Sequence, residues 1–261
     1  MEKNTVGVAF FDSGIGGLTV MAECVKYLRA HTAHTPTFYY YGDNAHAPYG
    51  NLPVATIQEY AFAAFERFSA MKTTAAVVAC NTATALCVDA LRKKFPFPVL
   101  GTEPAVFTAA KQGGEVAVLV TRATYESERF HKLCQKAEEK YPQAHLRLYP
   151  CDGLAGAIEA GIFISRKDYA QFFPKCQPDG VVLGCTHYVY LKKEISSFYS
   201  CRVYDGNEGV AKRLAAVLST LDEKSRENQP PVTLAPLGEN IHFIGSSAEY
   251  NRCVFEQMFA K

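Results

Sequence analysis

The sequence predicts an α/β protein of two pseudo-symmetric, doubly wound domains with mainly parallel sheets facing across a central cleft. Three observations carry this. Short β-branched runs alternate with longer helical patterns, the alternation occurs twice, and a proline-rich crossing separates the two rounds.

The first strand is "VGVAFF" at 6–11, an apolar run that ends at Asp12 and is too short for a signal-peptide core or a membrane span. It leads through "DSGIGGLTV" at 12–20 into a helix in which Leu18, Met21, Val25 and Leu28 recur every three or four residues. "AAVVAC" at 75–80 reads as the next buried strand, followed by the helical "ATALCVDALRKKF", whose Arg92, Lys93 and Lys94 form a solvated end. "FPFPVLGTEP" at 95–104 cannot continue a helix and is expected to cross between the halves. "VAVLVT" at 116–121 and the helical "YESERFHKLCQKAEEK" at 125–140 open the second round, and "GVVLGC" at 180–185 with "YLKKEI" at 190–195 completes it. "DEKSRENQPPV" at 222–232 is polar and reads as an exposed loop. The strand "IHFIG" and helix "AEYNRCVFEQMF" beyond it are expected to pack back on the first half. The implied division is 1–100 plus 208–261 for one domain and 101–207 for the other.

Composition excludes several roles. With 27 basic and 26 acidic side chains the formal charge is +1, which supplies no field for nucleic acid, and no run is long enough to cross a membrane. Nine cysteines, an odd number with no CxxC pair, suggest neither a disulfide framework nor a zinc ribbon, so a cytoplasmic protein with reduced thiols is expected. His31 and His34 lie three apart with no further ligand at a useful spacing, so no metal is expected.

Two cysteines stand apart from the rest. "VVACNTAT" at 77–84 and "VVLGCTHY" at 181–188 both end a buried strand in a cysteine. Each follows a hydroxyl-terminated strand at a similar interval, Ser13 to Cys80 over 67 residues and Thr121 to Cys185 over 64. Inverting an amino acid's α-carbon requires removing a proton from one face and delivering one to the other. A thiol, with a pKa of about 8.5, reaches both protonation states near neutral pH. Asn81 and Thr82 are good helix N-caps, and a helix N-terminus favours a nearby sulfur anion or carboxylate; Thr186 and His187 follow the second cysteine. The glycines of "DSGIGGLTV" match neither GxGxxG nor GxxxxGK[ST], so this stretch reads as a tight strand-to-helix turn suited to stabilising developing charge. Cys24, Cys87, Cys134, Cys151, Cys176, Cys201 and Cys253 are assigned to packing or surface.

"FDSGIGGLTV", "YYGDNAHAPYG", "VVACNTAT", "TRATYES" and "LGCTHY", in that order, resemble the motif series of the glutamate racemases, the cofactor-independent branch of the aspartate/glutamate racemase superfamily. The resemblance runs from residue 6 to about 190, with a fainter likeness in "VYDGNEGVAKRL" and "HFIGSSAEY". It implies that Cys80 and Cys185 are the catalytic bases, acting on the D- and L-enantiomer respectively. Asp12 and His187 would assist them, and Glu159, in "LAGAIEAG", is similar to a third assisting acid. It also implies that Ser13, Pro48, Tyr49, Gly50, Asn81, Thr82, Thr124 and Thr186 bind the ammonium and two carboxylates of glutamate, with no cofactor and no metal. A homodimer is expected, although the residues themselves are silent on oligomeric state. The chain departs from the family where Val189 follows Tyr188 and where Gly206 follows Asp205, in place of proline and serine. An aspartate or hydantoin racemase, or a two-lobed receptor for a small acid, remains open at this stage.

Overall fold

The computed structural model describes residues 6–32, 36–161, 171–225 and 240–259. His34 and most of the polar stretch at 222–232 lie outside the described residues.

The strands of the described residues form two sheets. The first has the order β4-β3-β1-β2-β9, from β1 (Gly7–Asp12), β2 (Thr37–Gly42), β3 (Ala75–Val78), β4 (Val99–Gly101) and β9 (Ile241–Ile244). The second has the order β6-β5-β7-β8, from β5 (Gly114–Val120), β6 (Ala144–Pro150), β7 (Gly180–Gly184) and β8 (Arg202–Tyr204). Every pairing in both sheets is parallel. The order β2-β1-β3-β4 is thus repeated as β6-β5-β7-β8, and β9 extends the first sheet, which places the tail where the sequence reading expects it.

Parallel strands need helices on both faces, so their side chains are apolar in both directions. In β1, Val8 and Phe10 face one apolar cluster while Ala9 and Phe11 face another. In β5, Val116, Val118 and Val120 face one cluster while Ala117 and Leu119 face the opposite one. The first sheet is flanked by α1 (Gly17–His31), α2 (Val54–Ala70), α3 (Asn81–Lys94), α9 (Asn207–Ser225) and α10 (Ala248–Phe259). The second is flanked by α4 (Val106–Ala110), α6 (Glu128–Lys140), α7 (Leu154–Glu159) and α8 (Lys192–Tyr199), with α5 (Arg122–Tyr125) at the end of β5.

The structure adds detail to the sequence reading. The proline-rich stretch at 95–104 holds strand β4 before it crosses, so the first sheet is finished inside it. The helix expected over 125–140 begins at Glu128, because the Ser127 hydroxyl accepts the Phe130 amide and caps it there. Strand β6 lacks an apolar run because it is an edge strand with exposed His145 and Arg147, and β2 is tyrosine-rich rather than β-branched.

Candidate active site

In a doubly wound sheet the crevice for ligands opens at the carboxyl ends of the strands, where the strand order reverses. Here the reversals fall between β1 and β3 and between β5 and β7. Phe11 is abreast of Val78, so Asp12 and Ser13 leave the first sheet beside Ala79 and Cys80. Val120 is abreast of Gly184, so Thr121 leaves the second beside Cys185. The doubled motif thus ends at the two switch points.

Cross-links join these points. Thr186 Oγ1 donates to Asp12 Oδ2 at 3.1 Å, and the Ile15 amide donates to Glu159 Oε2 at 2.9 Å. Thr82 Oγ1 lies 3.0 Å from Thr121 Oγ1 and 3.4 Å from Thr124 Oγ1, a hydroxyl cluster shared by the two halves. The glycines of the first turn explain the closeness. A Cβ on Gly14 would lie 2.2 Å from a Glu159 carboxylate oxygen, and one on Gly16 would lie 2.3 Å from Thr186 Oγ1. Neither glycine has a positive φ; each is small because the opposite lobe's polar groups sit against it.

Cys80 is itself the N-cap of α3, its Sγ accepting the Ala83 amide at 3.5 Å. This corrects the expectation that Asn81 or Thr82 caps the helix. Asn81 Nδ2 instead donates to the Thr102 carbonyl at 3.0 Å, and Thr82 turns to the hydroxyl cluster. Cys80 Sγ also lies 3.8 Å from Ser13 Oγ, which donates to Asp12 Oδ1 at 3.4 Å. Burial, with the nearby Asp12 and Cys185 charges, pushes the Cys80 thiol far above its ordinary range despite the Ala83 and Ser13 bonds. At neutral pH it is therefore a thiol. Burial likewise raises Asp12 to about 6, against the opposing pull of His187 and the Gly14 amide.

On the other side, Cys185 Sγ lies 3.8 Å from His187 Nδ1, and His187 Nε2 lies 2.6 Å from Glu159 Oε2. Burial would depress the imidazole, but its bonds to Cys185 and Glu159 and the nearby Asp12 outweigh it, so His187 is held well above its usual range. For Glu159 burial acts upward and is outweighed by His187 and by the Ile15 and Asn44 donors, which hold the carboxyl below its usual range. The Cys185 sulfur, an imidazolium and a carboxylate stand in line.

The remaining expected residues divide. Tyr49 is buried with its hydroxyl donated to Asp43 Oδ2 at 2.6 Å, so its side chain supports the turn. Gly50 lets that turn approach the second lobe, since a Cβ there would lie 2.8 Å from Thr121 Cβ. Pro48 lies against Gly156 of α7. Sequence reasoning missed two site residues. Thr121 was visible as the counterpart of Ser13, and Asn44, whose Nδ2 donates to Glu159 Oε1 at 2.6 Å, lies inside the quoted "YYGDNAHAPYG". Among the described residues no group of three His, Cys, Asp or Glu side chains could hold a metal, and no helix is long and apolar enough to cross a membrane.

The chain is similar to known proteins over most of its length. The family model for Asp/Glu/Hydantoin racemase matches residues 14–214. A glutamate racemase of Clostridium acetobutylicum is 36% identical over 232 residues, covering 85% of this chain and 87% of its own. Glutamate racemase 2 of Bacillus subtilis is 34% identical over 227 residues, 81% of this chain and 82% of its own. Among solved structures, Escherichia coli glutamate racemase in complex with L-glutamate and the activator UDP-MurNAc-Ala superposes with a TM-score of 0.76 at 29% identity, covering 97% of this chain and 95% of that one.

Proposed function

Because the chain belongs to the Asp/Glu/hydantoin racemase family, we propose that it interconverts L- and D-glutamate by passing the α-proton between Cys80 and Cys185, and that it supplies D-glutamate for peptidoglycan. One observation carries the reading. The two cysteines end strands at the switch points of two sheets whose loops are hydrogen-bonded to each other through Thr186 and Asp12.

The chemistry follows from the unlike surroundings of the two sulfurs. With L-glutamate bound, Cys185 as thiolate takes the α-proton, so the C–H bond breaks and an S–H bond forms. Cys80 then gives its thiol proton to the opposite face of the carbanion. The reverse reaction exchanges the roles. His187, protonated beside Cys185, stabilises that thiolate, and Glu159 stabilises the imidazolium. Asp12 stands on the Cys80 side, its carboxylate near the Ser13 hydroxyl that contacts the sulfur. Ser13, Asn81, Thr82, Thr124, Thr186 and the turn at Pro48, Tyr49 and Gly50 surround the substrate, joined by Thr121. The lobes, 1–100 plus 208–261 and 101–207, exclude water when they close and so strengthen each polar contact.

Circular dichroism of L-glutamate incubated with the purified protein tests substrate and reaction together, since racemisation makes the signal decay. Cys80→Ser and Cys185→Ser should each lose roughly 10²–10⁴-fold or more in turnover with unchanged melting. Undiminished turnover in both variants would remove the two-thiol reading. Solvent deuterium should enter the α-position of glutamate; entry into aspartate alone would reassign the substrate. Growth of a D-glutamate-requiring bacterium without the supplement, on expression of this chain, tests the physiological role.

A further inference from the structure

Beyond the groups that face the substrate, two amides run in series from the C-terminal helix to the Glu159 carboxylate. Asn251, in α10, is fully buried, and its Nδ2 donates to Asn44 Oδ1 at 2.9 Å. Asn44, in the 3-10 turn Asn44–His46 after β2, donates through Nδ2 to Glu159 Oε1 at 2.6 Å. Glu159 Oε2 is taken by the Ile15 amide and His187. Both carboxylate oxygens are thus held, one of them by an amide that the first lobe's last helix holds in turn.

We propose that Asn44 and Asn251 are positioning residues for the proton transfer: Asn251 fixes which end of the Asn44 amide faces Glu159, and Asn44 fixes the carboxylate that holds His187 against Cys185. This rests on the racemase reading above for its catalytic consequence, though not for its geometry.

Three features of the contact support it. An asparagine side chain can turn its amide over. With Asn251 Nδ2 bound to its oxygen, Asn44 presents N–H to Glu159; reversed, it would present a lone pair to a carboxylate. The pair also needs a glycine. A Cβ on Gly42 would lie 2.8 Å from Asn251 Nδ2 and 2.9 Å from Asn44 Oδ1, so the chain leaves this contact free at the end of β2. Finally, Asn251 Oδ1 is buried with no hydrogen-bond partner among the described residues. An unpaired buried acceptor destabilises a fold, so stability alone would favour leucine of the same size at 251. The amide contributes direction rather than stability.

Removing the Asn44 donor takes a hydrogen bond from the ionised form of Glu159 only, so its titration must move up. The other groups facing Glu159 are His187 and Tyr190 of the second lobe, Asp12 of β1, Tyr40 of β2 and Tyr250 of α10; none is altered by the substitutions.

The test compares Asn44→Ala and Asn251→Leu with the parent protein. Turnover of glutamate should fall roughly tenfold in each with KM within about twofold, and the acid limb of the kcat/KM profile should move up by about half to one pH unit. The Glu159 carboxyl carbon, followed by carbon NMR, should titrate at correspondingly higher pH. Asn251→Leu should melt at or above the parent temperature. An unmoved acid limb and unmoved carboxyl titration in folded variants overturn the proposal, as does loss of folding in both, which would make the pair structural. If the parent itself does not turn over glutamate, the racemase reading fails while the NMR titration still decides the positioning role.

Discussion

Asp12 combines a full negative charge at neutral pH with complete burial, and the molecule gives up stability for that combination. Its pKa rises from 3.8 in the open chain to about 6 in the fold. A carboxyl raised in this way contributes stability fully below pH 3.8, and the contribution is lost as pH rises through about 6. The loss amounts to roughly 3 kcal/mol once the group is ionised. Asp12→Asn keeps the shape and the Gly14 contact without the charge. Its melting temperature should match the parent at pH 4 and exceed it by several degrees at pH 8, while turnover drops. Equal melting at both pH values would show that Asp12 is not charged and buried together. His187 shows the opposite balance, since there the bonds to Cys185 and Glu159 outweigh burial and keep the cation.

At the scale of elements, the turn between β1 and α1 is one of the places where the two lobes touch, and glycine makes that contact possible. Gly16→Ala would set a methyl 2.3 Å from Thr186 Oγ1 and 2.8 Å from the His187 backbone nitrogen. Backbone cannot move aside as a flexible side chain does, so the second lobe must shift. We expect a loss of about 1–3 kcal/mol in stability and a larger loss in turnover. Gly209, in α9, has nothing within 4 Å of an added Cβ, so Gly209→Ala should gain up to about 1 kcal/mol from helix propensity and leave turnover alone. Thermal melting and racemisation measured on the pair separate close approach from ordinary glycine flexibility. Equal effects from both changes would defeat this account of the turn. The helix α3 works differently, offering the free amide of Ala83 to the Cys80 sulfur that caps it.

Across the whole molecule, the site is made by neither sheet alone. Asp12, Ser13 and Cys80 come from one switch point and Thr121, Cys185 and His187 from the other, with Glu159 reaching across from α7. A ligand held by both halves stabilises the folded protein by mass action. Glutamate at about a hundredfold above its dissociation constant should add about 2.7 kcal/mol, or roughly 5–10 °C in melting temperature for a chain of this size. Scanning calorimetry with glutamate, aspartate and succinate would show it, and no response to glutamate at any concentration would contradict the substrate assignment.

The chain order by itself determined the repeated α/β plan, because buried parallel strands require valine-rich runs and their covering helices require a three-to-four-residue apolar period. It also marked Cys80, Cys185, Asp12 and Ser13, since residues that end such runs must lie at the strands' carboxyl edge. Strands β2 and β6 escaped it, one tyrosine-rich and one at an edge with a solvated face, because each lacks the continuous apolar signal of a covered strand. Only the tertiary structure decided that Cys80 caps its own helix, that Gly14 and Gly16 make room for Glu159 and Thr186, and that Asn44, held by Asn251, reaches the carboxylate behind His187. These contacts join residues from 115 to 207 positions apart or depend on which of several neighbours a sulfur meets. Local periodicity carries no record of such distances; they are set when the second lobe folds against the first.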